Sequence, residues 1–256
     1  GGGLMGCSTA LQLAMRKRKV LVLEKDSPGR HASGVNAGGL RRLNRHPSEI
    51  PLAVAAMERW RDIESLLGSN CDVNLCGQVR VAENEKDLQL LEQRAANVRE
   101  WGFNHEQMLD RARLYQLVPS LADHCIGALY TEGDGYGRPF HALTAFRKKA
   151  ESLGVNIFSA CHVEHLDRKQ NQWMVKTTKQ TFNSRIVVNT AGAWSNNICE
   201  AIGECVPLRV GAPMMMVTER LPHFIDPVIG AAAVDEIAGA LWRVETLDSA
   251  ARVPVL

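Results

Sequence analysis

GGGLMGCSTALQLAMRKRKVLVLEK, residues 1–25, is the stretch on which the reading of the fold turns. Gly1, Gly3 and Gly6 stand in G-x-G-x-x-G spacing. From Cys7 to Lys19 the apolar positions Ala10, Leu11, Leu13 and Ala14 recur at helical spacing, which predicts a helix ending in Arg16 to Lys19, where cations suit the exposed carbonyls. Val20 to Leu23 is a short β-branched and apolar run of the kind buried on both faces of a parallel sheet. Turn, helix and strand in that order make most of a βαβ unit. In such a unit one glycine makes the tight turn, one lets the backbone approach a pyrophosphate, and one lets helix and strand pack closely. Glu24 ends the strand 18 residues after Gly6, where an acid can accept hydrogen bonds from an adenosine ribose. A glycine-rich turn followed by a solvated Glu would carry the same letters, but the joint pattern favours a dinucleotide site.

Outward from this stretch, Ser27 to Gly39 reads as a loop and Pro51 to Leu67 as one helix, with Leu52, Ala55, Ala56, Trp60, Ile63 and Leu67 on its inner side. Val79 and Val81 predict a strand, and Asp87 to Trp101 a second helix on Leu88, Leu91, Ala95 and Val98. Gly127 to Gly137 reads as strand and turn, Phe140 to Leu153 as helix, and Val155 to Phe158 as strand. Cys161 to Leu166, Trp173 to Thr178 and Thr181 to Asn189 are β-like, the last two forming a hairpin that turns at Lys179 and Gln180. Ile186 to Val188 reads as an apolar strand. The fold class expected is α/β: a discontinuous Rossmann-like nucleotide domain over 1–69 and 138–205, with an inserted α+β substrate domain, itself incomplete, over 70–137 and 206–256. A β-rich stretch is expected after Val206, and Met214, Met215 and Met216 as adaptable packing in a buried strand.

The chain has 256 residues, 45% apolar and 23% charged, enough for a substantial core. Thirty basic and 28 acidic side chains leave +2, too little field to drive nucleic-acid or anionic-membrane binding. No apolar run approaches the ~18 residues of a spanning helix. Seven scattered cysteines without a C-x-x-C pair argue against a disulfide framework and a zinc site, so a reducing cytoplasm is expected. Neither an initiator Met nor a basic and apolar leader precedes Gly1, so no signal peptide is read.

SGVNAGG (33–39) and NTAGAWS (189–195) are two further small-residue turns where backbone can lie against a ligand, which implies a cofactor longer than a single nucleotide. Together with the glycine turn, Glu24-Lys25, SGVNAGGLRR, VVNTAGAWS and EGDGYGRP (132–139), the chain resembles the D-amino-acid oxidase superfamily of FAD-dependent oxidoreductases over most of Gly1 to Pro207. The resemblance implies that Gly1, Gly3 and Gly6 cradle the FAD pyrophosphate and Glu24 holds the ribose, with Lys25 beside it. It also implies that Ser33, Asn36, Ala37 and Gly38 line the phosphate, ribityl and flavin region, that the Val163 backbone meets the adenine, and that Ala191 and Gly192 close over the nucleotide. The implied reaction oxidises the C–N bond of an amino acid or secondary amine by hydride transfer to flavin N5, giving an imine that water hydrolyses.

Such a site needs a cation for the substrate carboxylate, and Arg42 is the expected one. Arg41, Arg45, Arg138 and Arg243 are further cations and Tyr136 a further polar candidate, each Arg equally readable as surface charge or phosphate partner. His162 and His165, three apart on an expected strand, point to opposite faces and cannot share a metal, so no metal site is read. His141 reads as a solvated or capping residue. In some relatives of this superfamily a His in the loop corresponding to SGVNAGG holds the flavin covalently; His31 precedes that stretch, so dissociable FAD is expected. The strand before the glycine turn and the C-terminal flavin segment of the superfamily pattern are missing, which makes a piece truncated at both ends, with weak FAD binding if it is the whole protein, the expectation. Alternatives are an NAD-dependent dehydrogenase, which uses the same glycine turn, and a noncatalytic fragment or subunit that needs a partner chain.

Overall fold

The computed structural model describes residues 1–208, 211 and 215–232. In chain order they form α1 (Leu4–Met15), β1 (Leu21–Leu23), β2 (Gly39–Leu40), α2 (Ile50–Arg61), α3 (Ile63–Leu67), β3 (Gln78–Ala82), α4 (Glu85–Glu100), β4 (Gln107–Asp110), α5 (Arg111–Leu117), β5 (Gly127–Thr131), β6 (Gly135–Tyr136), α6 (Pro139–Ser152), β7 (Asn156–Phe158), β8 (Val163–Lys169), β9 (Gln172–Thr177), β10 (Thr181–Ser184), α7 (Ser195–Cys199) and β11 (Val228–Ala231). They divide into two compact units. The first holds Gly1–Ala37, Glu64–Asp72 and the described residues from 138 to 211; the second holds Gly38–Ile63, Val73–Gly137 and 215–232. Residues 38–63 thus group with the second unit and 70–72, 206–208 and 211 with the first, where the expected domain boundaries placed them the other way.

In the first unit β1 and β7 pair in parallel, Val22 opposite Ile157, and α1 lies against α6. Gly6, Cys7, Ala10 and Leu11 of α1 are buried, as are Ala142, Leu143, Phe146 and Ala150 of α6, so small residues on α1 let the helices approach. α1 starts at Leu4 and ends at Met15, earlier than the pattern predicts at both ends. The basic run therefore lies just past the helix, with the Arg16 guanidinium donating to the Gln12 carbonyl at 2.8 Å. The run 20–23 is buried at Val22 alone, and Leu21 is exposed, which corrects the two-face burial expected there. Strands β8, β9 and β10 form an antiparallel sheet, and the hairpin turns at Lys179 and Gln180 as its alternation predicts, with both N–H groups donating to Thr177 Oγ1. β10 stops at Ser184. Ile186 and Val188, expected in a buried strand, are 75% and 53% exposed in irregular backbone, because no described strand offers a ladder to them.

The second unit is built on the sheet β11-β3-β5-β4, antiparallel except for β11 beside β3. Val79, Val81 and Ala128 pack with Leu114, Val118 and Cys125 around α5; Ala82 and Leu129 pack with Leu43, Leu91 and Ala95 around α4. Asn84 caps α4 by accepting the Asp87 N–H, so the helix opens at Glu85 rather than at Asp87. The single helix expected from Pro51 to Leu67 is two, divided at Asp62: in α2 Ile50 and Met57 are buried while Leu52 is 75% exposed and Ala55 is exposed too, and Ile63 and Leu67, expected on the inner side, are buried, Leu67 within the first unit. A 3-10 turn over Pro47–Glu49 leads into α2, which starts at Ile50, one residue before the expected start. After Val206 the described residues are irregular except for β11. Met215 and Met216 are exposed, not in a buried strand. Met214, Arg243 and the rest of 233–256 lie outside the described residues.

Candidate functional site

Four segments of the first unit meet at the start of α1. Gly3 is its N-cap, in extended backbone and without a side chain to offer, and no acidic residue lies in the first turn. The Leu4 N–H is taken by Ser33 Oγ at 3.0 Å, and a Cβ on Gly3 would lie 2.9 Å from the same oxygen. Glu24, buried at the end of β1, accepts the Gly2 N–H on Oε2 at 2.6 Å and the Asp26 N–H on Oε1 at 2.9 Å. Thr190 Oγ1 donates to the Gly1 carbonyl at 3.0 Å. A Cβ on Gly6 would come within 1.9 Å of that carbonyl, and one on Gly1 within 2.3 Å of the Thr190 carbonyl, so at both positions only glycine allows the approach.

The other expected residues of this unit are spread around the junction. Lys25 Nζ sits 3.2 Å from the centre of the Trp194 ring. The Cys161 N–H donates to the Glu24 carbonyl, which brings the strand beginning at Val163 beside the end of β1; Val163 itself is half-buried opposite Thr177. Ala191 is the N-cap of a 3-10 turn, Gly192–Trp194, in which Gly192 has φ +58°. Asn36 Nδ2 donates to the Ala32 carbonyl, and Asn36 and Ala37 are exposed. Gly38, at φ +70°, belongs to the second unit and accepts the Gly137 N–H on its carbonyl. Behind the turn, burial pushes the Cys7 thiol up to about 11.

In the second unit Arg42 is engaged. Asp134, fully buried, accepts from Arg42 Nε at 2.9 Å, Arg42 N at 2.7 Å and Leu43 N at 2.9 Å, and Arg42 Nη2 donates to the Glu132 carbonyl. Glu106, equally buried, accepts from Asn44 N and from both Nε and Nη2 of Arg94. Burial lowers the pKa of the neighbouring His105, whose Nε2 is buried without a hydrogen-bond partner. Arg42 is legible in the sequence, whereas Asp134, Glu106 and Arg94 are not; Asp134 pairs with Arg42 across 92 residues, Glu106 with the Asn44 N–H across 62 and with Arg94 across 12, and no local pattern carries these pairings. Arg41 Nη1 donates to the Leu43 carbonyl and Arg45 Nε to the Arg41 carbonyl. Arg138 and His141 of the first unit share Asp72 Oδ2, at 3.5 and 2.6 Å. Tyr136 Oη accepts from Asn74 Nδ2. His162 and His165 are both exposed, His162 just before β8. Ligand atoms of Glu24, Asp26 and His31 lie within 4.8 Å of one another, Glu24 accepting two backbone N–H groups and Asp26 pairing with His31 at 2.7 Å.

Residues 1–240 match the family described as FAD dependent oxidoreductase (DAO), and the chain belongs to that family. Its fold is the one those enzymes share, and FAD rather than a nicotinamide is the family's cofactor. The chain is 25% identical to glycine oxidase of Geobacillus kaustophilus over 85% of its own length and 62% of that protein's. It is 27% identical to a subunit of opine oxidase from Rhizobium meliloti over 86% of the chain and 62% of the relative. Among solved structures, glycine oxidase from Bacillus cereus superposes with a TM-score of 0.72 at 26% identity, covering 78% of this chain and 56% of that one. The chain therefore spans under two thirds of the length of these relatives. No described helix is long and apolar enough to cross a membrane.

The glycine turn suits FAD on its own geometry. A 12-residue helix opens on it with no acid in its first turn, so its dipole favours a phosphate there, and a side chain at Gly1 or Gly6 would close the turn.

Proposed function

We propose that the protein carrying this chain oxidises the C–N bond of an amino acid or secondary amine. The observation that carries this reading is the meeting of the glycine turn, Glu24, Ser33 and Thr190 at the start of α1, in a chain of the FAD-dependent family. When bound, FAD supplies the two-electron acceptor that takes hydride from the carbon bearing nitrogen, after which water hydrolyses the imine product. In this reading Gly1, Gly3 and Gly6 admit the pyrophosphate to the N-terminus of α1. Glu24, held by the Gly2 and Asp26 N–H groups, presents its carboxylate to the ribose with Lys25 alongside. Ser33, Asn36, Ala37 and Gly38 line the stretch toward the flavin, Val163 meets the adenine, and Ala191 and Gly192 lie over the nucleotide. The seven unpaired thiols suit a reducing compartment such as the cytoplasm.

The substrate carboxylate needs a cation, and Arg42 is the residue to test. Its Nε and Nη2 are already engaged, which favours Arg42 as the group that shapes the turn after β2. Arg42→Met is then expected to lower stability without a selective change in KM. A KM raised tenfold or more at unchanged stability and kcat would instead assign it the carboxylate. A partner chain that completes the site is the second reading, favoured by the likeness to a protein named as one subunit of an oxidase.

The reading is tested on the purified protein by titrating FAD and then adding amino acids, N-methyl amino acids and hydroxy compounds without oxygen. Bleaching of the flavin bands by amines supports it. Absence of FAD binding, or bleaching by hydroxy compounds alone, overturns it.

A further inference from the structure

Glu24 is the one buried charged residue among the described residues of the first unit, and the more exposed Lys25, Asp26 and His31 follow it in the chain. Asp26, bonded through its N–H to Glu24 Oε1, also pairs with His31 Nε2 at 2.7 Å. The His31 ring lies 4.7 Å from the Trp194 ring, tilted by 56°, and the Lys25 ammonium sits over the Trp194 face at 3.2 Å. Trp194 is thus gripped by two side chains from the turn that follows β1. Its backbone N–H donates to the Ala191 carbonyl, so whatever holds the indole also holds the Ala191–Gly192 turn. It is 40% exposed, which is too much for a residue whose purpose is to fill the core.

We propose that Trp194 is a positioning residue of the cofactor site: clamped by Lys25 and His31, it holds the Ala191–Gly192 turn against the turn that carries Glu24. The proposal rests on the FAD reading above and adds a residue to it. Two segments some 165 residues apart must present their groups to one ligand, and neither is tied to the other through a β-ladder at this point, since β10 has ended and β1 is over. A cation over an indole face fixes separation and orientation together, and an imidazole against the same ring limits its rotation. Preorganised turns do not lose that freedom when the ligand binds, so the clamp acts on affinity rather than on the fold.

The test compares the wild-type protein with Trp194→Leu, Trp194→Phe and Lys25→Met, reading FAD affinity by flavin fluorescence and, separately, the melting temperature without FAD. Trp194→Leu is expected to weaken FAD binding about tenfold, with Trp194→Phe within about threefold of wild type and Lys25→Met between them. The FAD-free melting temperatures should stay together. Wild-type affinity in Trp194→Leu overturns the clamp and leaves the FAD reading standing. A lower FAD-free melting temperature shared by the Leu and Phe variants also overturns it, by making Trp194 a packing residue. A wild-type protein that takes up no FAD overturns both.

Discussion

Single side chains decide the chemistry of the glycine turn. At Gly6 an added methyl would meet the Gly1 carbonyl, which is backbone and cannot rotate away. Gly6→Ala is therefore expected to cost about 1–3 kcal/mol in a urea titration and to abolish measurable FAD uptake, because the helix must shift to admit the methyl. Asp134 is a second such position. Asp134→Asn keeps the shape but removes the charge that the half-buried Arg42 faces and puts an amide where backbone N–H groups need an acceptor, so stability should fall by about 1–3 kcal/mol, read from the urea midpoint. Cys7 gives a pH test. Its folded thiol is held at about 11 by burial, above an unfolded value near 9, so its contribution is complete below pH 9 and is lost as pH rises toward 11. Cys7→Ala should show a smaller fall in unfolding free energy between those two values than the wild type.

Among the elements, regularity is what makes the chain legible. α4 and α6 are readable because an apolar stripe at helical spacing survives in each, and the β9–β10 hairpin because its alternation breaks where the turn lies. The helix expected at 51–67 is right at Ile63 and Leu67 and wrong at Leu52 and Ala55, because apolar residues at those positions extend the same spacing onto an exposed part of α2. Burial of Ile50, Met57, Ile63 and Leu67 is settled by what the chain around them offers to cover. β4 and α5 leave little trace in the pattern, being short, although Asp110 announces α5 by capping the Arg113 N–H. The segment between β2 and α2 is pinned by Asp134 and Glu106 rather than by regular structure, and His105 stands beside that network. Burial keeps His105 neutral, so the stability it allows is present above its ordinary value of 6.5 and is lost as pH falls below that through the lowered folded value. Acid unfolding followed by fluorescence should be shifted to lower pH in His105→Gln.

Over the full chain, ligand linkage offers a direct measurement. A ligand present at 100 times its Kd stabilises the native state by roughly 2.7 kcal/mol, so FAD at that ratio is expected to raise the unfolding free energy by that order while ADP-ribose at the same concentration, lacking the flavin and so binding less tightly, does less. The charge balance gives a contrary control. With a formal charge of +2, retention on heparin at moderate salt should be slight.

Local features were readable from the residues without any coordinates: the glycine turn, the helix that opens on it, the acid at the end of β1, and the small-residue turns that mark backbone approached by a ligand. They are legible because each is a constraint on a few neighbouring residues, expressed as a missing Cβ, a period or a cap. Folding in three dimensions was needed to show that Arg42 belongs to Asp134, that Glu106 collects Arg94 and the Asn44 backbone, and that Trp194 lies between Lys25 and His31. Those pairings depend on which distant segments burial brings together, and a charge or a ring has no sequence periodicity to reveal its partner.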